Sequence, residues 1–284
     1  MVQYFKPISI SLSPNVEKDD VNLALNLVIR PWLWTRQKRS AHSAGQEKGK
    51  AVIELENAFK EYLGVKYAFS FNSGRSSFYA ILKALELEKG SEVALQAFTC
   101  NAVPNPVLWA DFTPLYIDCN LDDYNMSIND LEAKISPRTK VVVSQHTYGL
   151  PADVTKIRAI CEAKSLILIE DCAHSLGSEF NNQKIGTFGK AAFFSFGRDK
   201  VISSVYGGIA VTNDDAIGKK IEELQKEFGP PSNFWILQQL LHPILLNYII
   251  LPIYNFLDLG KIFLVLSQWF HILSKAVSWQ EKQG

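Results

Sequence analysis

The feature that most constrains this chain is the alternation of helix and strand periods from Ala51 to Phe228. Val52, Leu55, Phe59 and Tyr62 recur at steps of three and four, predicting a helix that stops at Gly64. "VKYAFSF" then predicts a strand, "NSG" a turn and "SSFYAILKALEL" a helix. The strands "SEVALQ" and "TPLYIDC" follow, then a short helix over "INDLEAKI". "TKVVVSQ" predicts a buried strand, "DVTKIRAICEAKS" a helix and "LILIED" a strand ending in two carboxylates. "AAFFS" and "GGIAVTND" complete the set. Strands separated by helices of about ten residues need crossover connections. The fold class is therefore α/β, a mainly parallel sheet flanked by helices.

In such a sheet the chemistry gathers at the carboxyl ends of the strands. That rule brings Asn72–Ser76, Phe98, Asp171–His174 and Ser195–Lys200 to one edge, although they are far apart in sequence. The domain reading is an N-terminal arm over 1–50, an α/β domain over 51–228 and an apolar helical C-terminal segment over 229–284.

Composition removes several function classes. Lys+Arg and Asp+Glu are equal at 29 each, so no basic excess points to nucleic acid. Cys100, Cys119, Cys161 and Cys172 are scattered without metal-ligand spacing, and they read as reduced, mostly buried thiols. His242 and His271 have no carboxylate or cysteine at ligand spacing, so no metal site is expected. The first twenty residues lack a charged region followed by a long apolar run, which reads as a cytoplasmic chain. Between Asn233 and Ser274 the only fixed charges are Asp258 and Lys261. Pro243 and Pro252 interrupt that stretch, which therefore reads as a buried or dimer-facing helical hairpin. Its alternative is peripheral contact with a membrane, with Trp32, Trp34 and the neighbouring arginines as anchors.

Each residue at the sheet edge has two readings. Asp171 ends an apolar strand, where a carboxylate is costly unless paired. It suits a helix N-cap, or a pyridinium nitrogen that must stay protonated so that its ring can draw electrons. Lys200 is either a solvated charge or an amine able to form a Schiff base with an aldehyde. Ser195 offers a hydroxyl to a phosphate, and Gly74 with the amides of Arg75 and Ser76 offers a helix N-terminus to the same anion. Phe98 offers a flat face. His146 suits substrate contact or a structural role equally. Taken together, at one edge and in this order, the set describes a pyridoxal phosphate site.

"HTYGLPADV", "LIEDCAHSLGSEFNNQKIGTFG", "FFSFGRDK" and "GGIAVTND" resemble the sugar aminotransferases of the DegT/DnrJ/EryC1/StrS family, from about Gly45 to Asp214. The resemblance implies a fold-type I aminotransferase domain assembled as a homodimer. It implies that Lys200 forms the Schiff base and shuttles the proton, and that Asp171 pairs with the pyridine nitrogen. His174 would face the phenolic oxygen. Ser195 with Gly74, Arg75 and Ser76 would hold the phosphate, and Phe98 would cover the ring. The reaction implied is amino transfer from glutamate to a keto carbon of a nucleotide-linked sugar, toward amino-sugar or polysaccharide biosynthesis. Arg75 departs from the small residue usual after that glycine. The chain also stops where the family's small C-terminal domain would begin. A non-catalytic scaffold bound to a membrane or a partner is thus an alternative, as is an enzyme of the same fold acting on another carbonyl.

Overall fold

The computed structural model describes residues 12, 15–35 and 48–275. Of the N-terminal arm, the stretch 36–47 with Arg36 and Arg39 lies outside the described residues, as do the residues after 275. The first elements in chain order are α1 (Lys18–Ile29), α2 (Trp32–Thr35), α3 (Lys50–Leu63), β1 (Tyr67–Phe71), α4 (Gly74–Ala84), β2 (Glu92–Gln96) and α5 (Pro104–Trp109). β3 (Thr113–Ile117), α6 (Ile128–Lys134), β4 (Thr139–Gln145), α7 (Val154–Ala163), β5 (Ile167–Asp171), β6 (Glu179–Phe180) and β7 (Gln183–Lys184) follow. The last are β8 (Ala191–Ser195), β9 (Gly208–Thr212), α8 (Asp215–Phe228), α9 (Asn233–Leu245) and α10 (Leu259–Trp269). They form two compact units. One takes Lys50–Ser195 and Gly207–Phe228, and the other takes the N-terminal helices, Phe196–Tyr206 and the chain from Gly229.

The first unit is a seven-stranded sheet in the order β1-β9-β8-β5-β4-β2-β3. β9 is antiparallel to both its neighbours, and the remaining pairs are parallel. The carboxyl ends of β1, β2, β4, β5 and β8 therefore share one edge. α4 packs over β8 and β9 and is buried through Phe78, Ala80, Ile81 and Leu82. Each large side chain hidden there contributes about 1.5–3 kcal/mol. Phe78 stacks on Phe193 at a centroid distance of 4.6 Å, which fixes the helix against β8. α3 ends at Gly64, whose φ of +68° suits glycine. Its buried face runs through Glu56, Phe59 and Leu63, while Tyr62 is exposed, so the expected stripe is shifted at its last turn.

The second unit contains the charge-poor segment, and it is helical. α9 packs against α1. Past Pro243, which lacks a backbone donor, the chain widens into a π turn over Leu246–Ile250. The Asn247 side-chain amide donates to the Pro243 carbonyl at 2.9 Å. Leu246, Ile250, Tyr254 and Leu273 form a small core with Leu12. A Cβ at Gly260 would lie 2.4 Å from the Ile250 carbonyl oxygen, so only glycine admits the start of α10 there. The segment takes two helices, α9 and α10, and Ile262, Val265, Leu266 and Trp269 of α10 are exposed rather than buried. Among the described residues no helix is long and apolar enough to cross a membrane.

Candidate functional site

β5 brings two carboxylates to the sheet edge on opposite faces, because strand side chains alternate. Glu170 is fully buried and accepts three backbone N–H groups, from Gly186 at 2.8 Å, Phe188 at 2.7 Å and Gly189 at 2.8 Å. His146 is also fully buried, and its Nδ1 accepts the Ala152 N–H at 3.1 Å. The neutral ring therefore carries its proton on Nε2, which lies 3.4 Å from Glu170 Oε2. Of the two readings of His146, the structural one fits this position. Burial pushes the Cys172 thiol well above its usual range, and the Glu170 and Asp171 charges add to that. All four cysteines are free. Cys161 and Cys172 are buried as expected, whereas Cys100 is exposed and Cys119 half-buried.

Asp171 is 3% exposed. Its Oδ1 accepts the Ala173 N–H at 3.0 Å, and its carbonyl accepts the His146 N–H at 3.2 Å. Turns rather than a helix follow it, so it is not a helix N-cap. What remains is a buried carboxylate at the carboxyl end of a central strand.

Three strands along the sheet from β5, at the end of β1, α4 starts very close to the sheet. A Cβ at Gly74 would lie 2.9 Å from Ser195 Cβ, and one at Gly208 would lie 2.4 Å from the Gly74 nitrogen. Both glycines are thus required for the close approach that brings the start of α4 against Ser195. Ser73 caps the helix, accepting the Ser76 N–H at 3.1 Å, and the Ser76 hydroxyl donates to Asn72 Oδ1 at 2.7 Å. The Ser76 amide is therefore committed to the cap, and what the start of α4 could offer an anion is its first-turn dipole. Arg75, the second residue of the helix, is half-buried.

At the ends of β2 and β4 the structure adds residues that the sequence reading missed. Phe98 has its ring centroid 5.4 Å from that of Tyr124 and 6.3 Å from that of Tyr148. Tyr148 stacks on His174 at 5.8 Å with the planes 9° apart. A buried amide network holds this wall. Gln96 Nε2 donates to the Phe98 carbonyl at 2.7 Å and to Thr147 Oγ1 at 2.9 Å, and Asn125 Oδ1 accepts the Thr147 N–H at 2.9 Å. The available signal was the terminal glutamine of "VALQ" and of "KVVVSQ", a polar residue closing an apolar run.

Lys200 belongs to the other unit, in the segment Phe196–Tyr206 that leaves Ser195. Its side chain is only 13% exposed, with Nζ 3.5 Å from Asp199. Its N–H donates to the Gly197 carbonyl at 3.1 Å, and its own carbonyl accepts the Asn15 amide at 2.6 Å. The structure thus brings Asp171, His174, Phe98, Gly74, Arg75, Ser76 and Ser195 to one edge of one unit, and Lys200 is described within its own.

The donor set fits a phosphorylated pyridine: a buried carboxylate, a hydroxyl beside a glycine-lined helix start, and an aromatic wall. The mainly parallel sheet flanked by helices matches the fold-type I class of pyridoxal phosphate aminotransferases. The model of the DegT/DnrJ/EryC1/StrS aminotransferase family matches residues 36–235, and the chain belongs to that family. The GDP-perosamine synthase of Escherichia coli O157:H7 is 35% identical over 170 residues, 60% of this chain and 47% of that protein. The solved structure of Helicobacter pylori PseC, an aminotransferase involved in the biosynthesis of pseudoaminic acid, superposes with a TM-score of 0.66 at 30% identity, over 76% of this chain and 55% of that one. The E. coli GDP-4-keto-6-deoxy-D-mannose-3-dehydratase with bound hydrated PLP gives a TM-score of 0.64 at 26% identity, over 75% of this chain and 53% of that one. The family and these neighbours indicate pyridoxal phosphate as the cofactor. The chain spans about half the length of the curated relatives it matches.

Proposed function

We propose that this chain carries the cofactor half of an aminotransferase that moves an amino group from glutamate to a keto carbon of a nucleotide-linked sugar. The observation that carries the reading is Asp171, a carboxylate buried at the end of a central parallel strand, on the same edge as Ser195 and the glycine-tight start of α4. Bound pyridoxal phosphate supplies an electron sink that stabilises the carbanion formed when the substrate loses a proton. Asp171 would keep the ring nitrogen protonated. Ser195, Gly74, Arg75 and Ser76 would bind the phosphate, with Arg75 adding a charged donor. Phe98 would cover the ring, and His174 would face its phenolic oxygen. The Lys200 amine would hold the cofactor and, once displaced by the substrate amine, carry the proton at Nζ. Glutamate would leave as 2-oxoglutarate, and its amino group would end on the sugar.

The naming of relatives for GDP-perosamine and pseudoaminic acid supports a sugar substrate. A homodimer in the cytoplasm is part of the same proposal. Mixing the cofactor-loaded protein with glutamate tests it: one equivalent of 2-oxoglutarate per site is expected without any sugar, and none would sink the reading. A second reading has its own observation, the exposed apolar face of α10. On that reading residues 233–274 meet a membrane surface or a partner, and the protein is a non-catalytic scaffold. Co-sedimentation with anionic vesicles in the absence of 2-oxoglutarate formation would favour it. Turnover of a cyclitol ketone in place of any nucleotide-sugar would favour an enzyme of the same fold acting on another carbonyl.

A further inference from the structure

We propose that Tyr148 is a positioning residue whose ring sets the plane of the His174 imidazole. The inference rests on the reading that places His174 at the phenolic oxygen of the cofactor. Three observations lead to it. Tyr148 has a φ of +52°, in the left-handed region that a bulky aromatic residue rarely adopts. It is also 70% exposed, so no burial of its ring compensates that backbone conformation. What the conformation does achieve is geometric: the phenol lies against His174 at 5.8 Å with an interplanar angle of 9° and meets the edge of Phe98 at 6.3 Å.

The turn that holds Tyr148 is fixed from both sides. Upstream, Thr147 receives hydrogen bonds at Oγ1 from Gln96 at 2.9 Å and from Gln145 at 3.2 Å, and gives its N–H to Asn125. Downstream, the Gly149 carbonyl accepts the Ser178 hydroxyl at 2.9 Å. A Cβ at Gly149 would sit 3.2 Å from the His174 carbonyl, so this turn and the one carrying His174 are in close register. Strain that the surroundings over-determine, at a residue exposed on a functional edge, is the pattern expected where conformation serves the site rather than the fold. The neighbouring Tyr124 repeats it with a φ of +56° and a ring centroid 5.4 Å from that of Phe98.

Two variants separate positioning from structure. Tyr148→Gly removes the ring and relaxes the backbone, and Tyr148→Phe keeps the ring and loses only the hydroxyl. In the cofactor-free protein, the imidazole C–H resonances of His174, assigned by their loss in His174→Gln, are expected to move downfield in Tyr148→Gly as the ring current disappears. They should stay in place in Tyr148→Phe. Tyr148→Gly is expected to hold or raise Tm by about 2–4 °C, because a residue that serves only the fold would lower it. In the cofactor-loaded protein, the pH at which the visible band changes should shift in Tyr148→Gly and be restored in Tyr148→Phe. His174 resonances that are identical in the wild type and Tyr148→Gly would overturn the proposal, as would a lowered Tm. A wild type that acquires no visible band would end the functional reading, while the resonances of the cofactor-free protein would still decide the role of Tyr148.

Discussion

Glu170 accepts three backbone N–H groups inside the protein, and each would lose its acceptor in Glu170→Ala. A buried donor left without a partner costs about 1–3 kcal/mol, so the variant should lose at least about 3 kcal/mol. Thermal unfolding followed by circular dichroism checks this, and a Tm unchanged from the wild type would contradict it. Gly208→Ala places a methyl group 2.4 Å from the Gly74 nitrogen, which is backbone and cannot turn aside. The expected cost is about 1–3 kcal/mol, together with weaker binding of pyridoxal phosphate as the start of α4 is pushed from Ser195. Fluorescence titration with the cofactor reads the second effect. The sequence showed a glycine pair followed by a strand, but which glycine is required depends on a contact with residues 134 positions earlier, and no local pattern carries that.

At the scale of elements, the helix and strand assignments from α3 to β9, apart from α5 and the short β6 and β7, were legible because each apolar run had one dominant period and was closed by glycine or by polar residues. The edge that gathers the candidate residues was legible for the same reason, since parallel strands share a carboxyl end. The aromatic wall was not. Tyr124 and Tyr148 lie in turns, where side-chain direction follows from φ values of +56° and +52° that no residue preference foretells. In α9, His242 is fully buried, and burial, aided by the Arg198 charge, lowers its pKa to about 3. The unfolded chain would protonate it near its ordinary value of about 6.5. Between these two values the unfolded state binds the extra proton, so stability is full above about pH 6.5 and falls as the pH drops toward about 3. At pH 4.5 the loss is about 2–3 kcal/mol. His242→Gln should flatten the decline between pH 6.5 and 5, where carboxylates contribute little, and denaturant midpoints measured across that range would show it.

At the scale of the whole molecule, the two units differ in the size of their cores. The α/β unit has a large core around α4, while the helical unit keeps a small core and leaves Ile262, Val265 and Trp269 of one helix in solvent. Changing those three to Gln, Ser and Gln should raise solubility and leave Tm within about 1 °C, because exposed positions contribute little to folding. A large fall in Tm would mean that the face is already covered in the folded protein. The apolar character of the segment was readable from the near absence of charge between Asn233 and Ser274. Its exposed side was not, because an all-apolar stretch has no polar face to mark which side is buried.

The central claim is that Lys200, Asp171 and Ser195 serve one pyridoxal phosphate site. The direct measurement is the visible absorption spectrum of the purified chain with added pyridoxal phosphate, for the wild type and for Lys200→Ala. The account predicts a yellow band in the wild type that borohydride abolishes and glutamate shifts, and that Lys200→Ala lacks. The same band in Lys200→Ala, or no band in a folded wild type, would contradict it.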